Sequence, residues 1–314
     1  MRPHPRYTLL EDRGLLSVGG VDRVTFLQGL VSNDIEKVGP KRAVYAALLT
    51  PQGKYLHDFF VVGLDDALLL DCERARLDDL KKRLSMFKLR ADVTLDDRSG
   101  ELRVATLYGD GAGEALGLSG DAGSARAFGG GIAFIDPRLK DAGARAVLPV
   151  EGAGKTLEEA GLKATDAPEY DRLRLELGLP DGSRDLMVEK SILLESGFDE
   201  LNGVDWDKGC YMGQELTART KYRGLVKKRL VPVIFDGPPP APETPVMLGE
   251  KQAGELRSSL PGDDGGIGLA LLRLDSMAEA DETETALKAG AVTVTPARPS
   301  WMAIYRRFKD HPAP

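Results

Sequence analysis

Three apolar, aromatic-rich runs stand close together near the start of the chain: AVYAALL at 43–49, KYLHDFFVV at 54–62 and ALLLDC at 67–72. Only Thr50-Pro51-Gln52-Gly53 and Leu64-Asp65-Asp66 separate them, and turn residues in such short links join strands antiparallel. The three runs therefore predict a β-meander. The next segment, RARLDDLKKRLSMF at 74–87, changes period: Leu77, Leu80 and Leu84 recur three and four apart, as on one face of an amphipathic helix. KLRADVTL at 88–95, ELRVATL at 101–107, GIAFID at 131–136 and ARAVLPV at 144–150 read as further strands, and PEYDRLRLELG at 168–178 reads as a helix closed by Gly178-Leu179-Pro180. The front two-thirds is thus α+β. After residue 230 the pattern becomes VPVIF, VMLG, AGELRSS, GIGLALLRL and AVTVTP between Gly- and Pro-rich bends, which predicts a small closed β-barrel. The acid-rich AEADETETA at 278–286 is expected to be a solvated loop of that barrel.

A length of 314 residues fits two or three domains better than one core. The formal charge of −7 gives no global attraction to phosphates, so any anion site must be local. No apolar run approaches the roughly 20 residues that cross a bilayer, and the start MRPHPRYTLLEDR has no apolar signal core, so a cytoplasmic protein is expected. Cys72 and Cys210 are the only cysteines and His4, His57 and His311 the only imidazoles, which argues against a zinc or iron-sulfur site built wholly from this chain. Two phosphate-loop patterns fail on spacing. The glycine-rich stretch at 109–131 contains no G-x-G-x-x-G and reads as a flexible connection, and Gly154-Lys155-Thr156 has Pro149 where a Walker loop requires glycine.

DWDKGCYMGQELTARTKYRG, from Asp205 to Gly224, gathers a thiol, amides, carboxylates and cations in one short turn and helix. Gly209 and Gly213 bracket Cys210, with Lys208 two residues before it and a helix start after it. Both neighbours favour a thiolate, against the alternative of a buried, inert cysteine. Cys72 ends ALLLDC and is expected to be packed and slow to react. Arg219, Lys221, Arg223, Lys227, Lys228 and Arg229 form either a solvated basic strand or a local anion site.

KGCYMGQELTARTKYRG at 208–224 resembles the signature of the YgfZ-type folate-binding proteins of the aminomethyltransferase (glycine cleavage T-protein) superfamily. FLQGLVSND at 26–34, RLELGLP at 174–180 and Gly254-Glu255-Leu256 with Ser258-Ser259 extend the resemblance over almost the whole chain. It implies a ring of three domains, two α+β lobes with antiparallel sheets and a barrel. Residues 1–228 would form the folate-binding module, with a lobe inserted at about 20–97, and residues 229–314 the barrel. It also implies tetrahydrofolate, or a one-carbon derivative, as ligand, and iron-sulfur client or assembly proteins as partners. By that resemblance Glu176 would hold the pterin, Tyr45, Tyr170 or Trp206 would wall the aminobenzoyl ring, and Arg219, Arg223 or Lys227 would meet the tail carboxylates. Lys208 and Gln214 complete the binding set. Tyr45 followed thirteen positions later by Asp58 matches the spacing of the superfamily's site tyrosine and catalytic aspartate, although His57 and Lys54 depart from its Gly-Gly-x-x-Asp-Asp motif. Two functions follow: a folate-binding factor for assembly or repair of [4Fe-4S] proteins with Cys210 as its working thiol, or a folate-dependent aminomethyltransferase or demethylase with Asp58 as base. An RNA adaptor is disfavoured by the acidity of the chain and by the lack of aromatic interleaving in the basic stretch.

Overall fold

The computed structural model describes residues 4–302, which include every candidate site residue; His311 lies outside the described residues. The architecture is α+β with antiparallel sheets and a closed barrel, and the chain divides into two compact units. One unit holds the residues up to Tyr170 together with Leu201–Gln214; the other holds Asp171–Glu200 and the residues from Glu215 onward.

The first unit contains two sheets. In the five-stranded sheet the order is Val44–Leu49, Tyr55–Leu64, Ala67–Glu73, Arg13–Gly19 and Thr94–Asp97, so the meander forms as the turn residues require. Every residue of Val44–Leu49 is buried. The helix Leu77–Phe87 buries Leu77, Leu80 and Leu84, the stripe its periodicity marks. The strand expected at 88–95 is confined to Thr94–Asp97. Lys88–Val93 instead closes on itself through Ala91 N–H to Lys88 O at 2.7 Å and Val93 N–H to Ala91 O at 3.0 Å, with Leu89 at a φ of 40° that no strand permits.

In the six-stranded sheet the order is Lys163–Ala164, Arg6–Leu10, Leu102–Tyr108, Ala144–Pro149, Gly131–Ile135 and Ala125–Phe128, antiparallel except for its first pair. Leu107, Ala133, Ala146 and Leu157 lie in its core. The glycine-rich stretch is more ordered than a flexible connection. It contains the helix Ala112–Ala115 and a hairpin whose two-residue turn, Gly129-Gly130, has φ of 57° and 78°, the left-handed pair that matches strand twist.

In the second unit Lys228–Phe235, Gly265–Arg273, Lys251–Gly262, Pro245–Leu248, Leu287–Ala289 and Val292–Pro296 close into a barrel. Val231, Val233, Leu256, Ala270, Leu272 and Val294 fill it, so it is a packed core rather than a pore. The acid-rich stretch is a correction to the sequence reading: Leu274–Thr283 is a helix, not a loop. Leu274, Met277 and Ala280 recur every three residues and pack on the barrel core, while Asp281 and Glu282 face water. Acidic composition masked that stripe. Arg229, counted among the basic stretch, is fully buried, pairs with Glu200 and donates to Leu194 O at 2.8 Å. Among the described residues no helix is long and apolar enough to cross a membrane.

Candidate functional site

Asp58 lies on Tyr55–Leu64, and its carboxylate accepts the Tyr45 hydroxyl on one oxygen and the Tyr55 hydroxyl on the other, each at 2.7 Å. In a regular strand residues 55 and 58 would face opposite sides of the sheet. Here Leu48 pairs with His57 and Leu49 with Tyr55, so Leu56 is an extra residue that shifts the parity and turns Tyr55 to the face of Asp58. Burial, then the Asp58 charge, raises both phenols well above their ordinary value, which keeps them protonated as donors.

Beside this triad three arginines surround the Phe60 ring, with Arg145 at 4.2 Å, Arg138 at 4.8 Å and Arg13 at 5.9 Å from its centre. Asp71, fully buried, accepts Arg13 Nε and Arg145 Nη2, both at 2.6 Å. Burial pushes the Asp71 carboxyl up, but the two guanidinium groups outweigh it and hold the carboxyl below its ordinary value. Arg138 forks onto Asp136 at 3.1 and 2.8 Å. Tyr170 accepts from Arg145 at 3.5 Å, and its ring lies 5.9 Å from that of Tyr108. Tyr45, Asp58 and Tyr170 therefore join one buried polar layer that links the two sheets of the first unit. The arginines and Asp71 were missed from sequence; their signal is a lone charge set in an apolar strand, as in ALLLDC and ARAVLPV, since such a charge must find a partner inside.

The start of the signature segment is anchored through Asp205, Lys208, Met212 and Gln214. Asp205 ion-pairs with Lys37 and folds its carboxylate onto the N–H of Asp207 at 2.9 Å and of Lys208 at 3.1 Å. The Lys208 ammonium donates to the carbonyls of Gln28, Val31 and Asn33 at 2.9, 2.7 and 2.6 Å, at and just beyond the end of the helix Arg23–Gln28. Burial draws Lys208 down to about 8, against the upward pull of Asp34, Asp205 and Glu36. Met212 N–H donates to Gly29 O at 3.1 Å, and the Gln214 amide oxygen accepts the Tyr211 N–H at 3.0 Å. Lys208 thus spends its protons on backbone, and the helix Gln214–Tyr222 starts four residues beyond Cys210. Cys210 itself is exposed. Cys72 is buried, and burial raises its thiol to about 12.

Gly213 seats this loop. Its φ is 84°, and a Cβ there would lie 2.6 Å from Thr50 O and 3.0 Å from Gly53 Cα. Gly213→Ala is expected to destabilise the loop by on the order of 1–3 kcal/mol, read as faster cleavage within 205–214 in limited proteolysis; an unchanged cleavage pattern would show that the contact is dispensable.

Of the candidates in the second unit, Glu176 is exposed on the helix Ala167–Leu177, Arg219 pairs with Glu215 one turn away, and Arg223 and Lys227 are exposed. Trp206, in the first unit, is half-buried.

Residues 227–304 match the sequence model described as the CAF17 C-terminal beta-barrel domain. The chain is 34% identical over 310 residues to the iron-sulfur cluster assembly factor IBA57, mitochondrial, of Mus musculus, covering 93% of this chain and 84% of that one. It is 35% identical over 277 residues to the Homo sapiens protein of the same name, covering 84% of this chain and 76% of that one. The crystal structure of glycine cleavage system aminomethyltransferase T from Bartonella henselae matches with a TM-score of 0.75 over 94% of this chain and 85% of that one; at 16% identity this establishes a shared fold. The relatives' names place them in mitochondria, which overturns the expectation of a cytoplasmic protein. The absence of a long apolar run does not distinguish one aqueous compartment from another.

Proposed function

This chain belongs to the IBA57 family of iron-sulfur cluster assembly factors, and we propose that it serves the assembly or repair of [4Fe-4S] proteins by presenting the Cys210 thiol to a client or assembly protein, with tetrahydrofolate or a one-carbon derivative as its ligand. The observation that carries the reading is the contrast inside one loop: Lys208, Met212, Gly213 and Gln214 are all committed to holding the backbone, and the one thiol among them is left exposed. A rigid loop that offers a lone sulfur suits contact with an iron species or a partner thiol, since one thiolate cannot hold a four-iron cluster alone.

For folate, the chain supplies groups of the right chemistry. Glu176 is a carboxylate of the kind that accepts the paired N–H groups of a pterin. Arg219, Arg223 and Lys227 are cations of the kind the tail carboxylates need. Tetrahydrofolate is expected to bind saturably in anaerobic titration calorimetry, and Glu176→Ala to weaken it at least tenfold, the cost of about 2–5 kcal/mol typical of breaking a charge-assisted pair. Unchanged affinity would remove Glu176 from the site. The transferase reading rests on the Tyr45–Asp58–Tyr55 triad, because a carboxylate positioned by two phenol hydrogen bonds can stabilise a developing iminium. Its signature would be one-carbon transfer that Asp58→Asn abolishes and Cys210→Ser leaves intact.

A further inference from the structure

Val21 is 78% exposed, Met86 60%, Phe87 40% and Leu89 91%. Val21 lies in the loop before the helix Arg23–Gln28, and the other three at the end of Leu77–Phe87 and just beyond it. The two loops are tied together, Asp22 N–H to Asp92 O at 3.2 Å and Asp92 N–H to the Asp22 carboxylate at 2.8 Å, so the four side chains belong to one region of the first unit. Leu89 is the informative member. Its φ of 40° is a conformation that a leucine adopts at a cost, and its nearly complete exposure returns no burial for it. Lys88 and Arg90 flank it, a basic rim on a chain whose net charge is −7. One face of the Arg23–Gln28 region leads to the signature loop, because Gly29 accepts the Met212 N–H; six helical residues span about 9 Å.

We propose that Val21, Met86, Phe87 and Leu89, rimmed by Lys88 and Arg90, form a docking surface for a protein that presents an apolar centre ringed by aspartate or glutamate. The basic rim complements acidic side chains and adds specificity and on-rate to apolar contact. The helix Arg23–Gln28 runs from this region to Gly29, which accepts the Met212 N–H of the loop that carries Cys210, and that continuity favours a protein partner over a lipid surface. The inference stands apart from folate as ligand.

The test uses the full chain and a fluorescein-labelled amphipathic peptide with a leucine face and glutamate flanks, beside the same peptide with lysine flanks. The acidic peptide is expected to bind saturably and at least tenfold tighter than the basic one. Met86→Asp/Leu89→Asp and Lys88→Glu/Arg90→Glu should each weaken it at least tenfold, and only the rim contribution should fade with salt. Leu89→Gly separates display from folding: its thermal midpoint should equal or exceed that of the parent while peptide affinity falls. Equal binding of both peptides, no binding of either, or undiminished binding to Leu89→Gly would overturn the proposal. So would preferential binding to phosphatidylcholine–phosphatidylglycerol vesicles, or self-association in sedimentation that Leu89→Asp abolishes, since these assign the surface to a membrane or to a second copy.

Discussion

Cys210→Ser is expected to abolish the ability of the chain to restore [4Fe-4S] enzyme activity in cells that lack it, with thermal unfolding unchanged, whereas Cys72→Ser retains that ability. The exposed position of Cys210 and the anchoring of its loop motivate the first half. The second follows from burial, which packs Cys72 inside and raises its thiol to about 12, so little of it is thiolate at neutral pH. Alkylation of the native protein should therefore modify Cys210 at least a hundredfold faster than Cys72, with the difference lost in denaturant. Full activity of Cys210→Ser would end the working-thiol reading and leave the segment as a structural turn.

Asp71→Ala should cost about 3–5 kcal/mol in urea unfolding, the range for breaking a buried ion pair from one side. Arg13 and Arg145 both lean on that carboxylate and on the same Phe60 ring, so its removal leaves two buried guanidinium groups facing each other. The pH dependence has a definite sign. A carboxyl held below its ordinary value contributes stability that is fully present above the unfolded value near 3.9 and is lost as pH falls through the lower folded value. The parent should therefore lose stability on acidification below about pH 4 more steeply than Asp71→Ala. A cost below about 1 kcal/mol at neutral pH would mean that the arginines relax to solvent and that the layer does not depend on its acid.

What the sequence made legible was periodic. The meander, the Leu77–Leu80–Leu84 stripe and the barrel followed from apolar spacing and turn residues, because those patterns report which face meets a core. Where composition spoke louder than period, the reading failed: the acids of 278–286 hid the Met277–Ala280 stripe, and the glycines of 109–131 hid a regular hairpin. The strands Arg6–Leu10 and Arg13–Gly19 went unread, since only Glu11 and Asp12 separate them and they enter different sheets. For the site, the family resemblance singled out Tyr45 and Asp58, which share a hydrogen bond, but not Tyr55, whose arrival on the same face depends on a bulge set by cross-strand register. Nor does sequence tell where a long side chain is spent. Lys208 reads as a cation beside a thiol, and its three protons go to carbonyls contributed by a segment far away in the chain.

That segment has a second task. Val44–Leu49 is an outer strand, and VYAALL, apolar throughout and without charge or proline, is the kind of edge along which chains stack into cross-β aggregates. Residues 31–33 cover it: Val31 bridges Leu48, Ser32 exchanges hydrogen bonds with Ala47 through its N–H and its hydroxyl, and the Asn33 amide donates to Tyr45 O at 2.7 Å. Lys208 grips the carbonyls of Val31 and Asn33, so the loop that displays the thiol also keeps this cover in place. Variants that loosen the loop would then be recovered as insoluble protein in the cell, and their loss of activity would reflect abundance as well as chemistry.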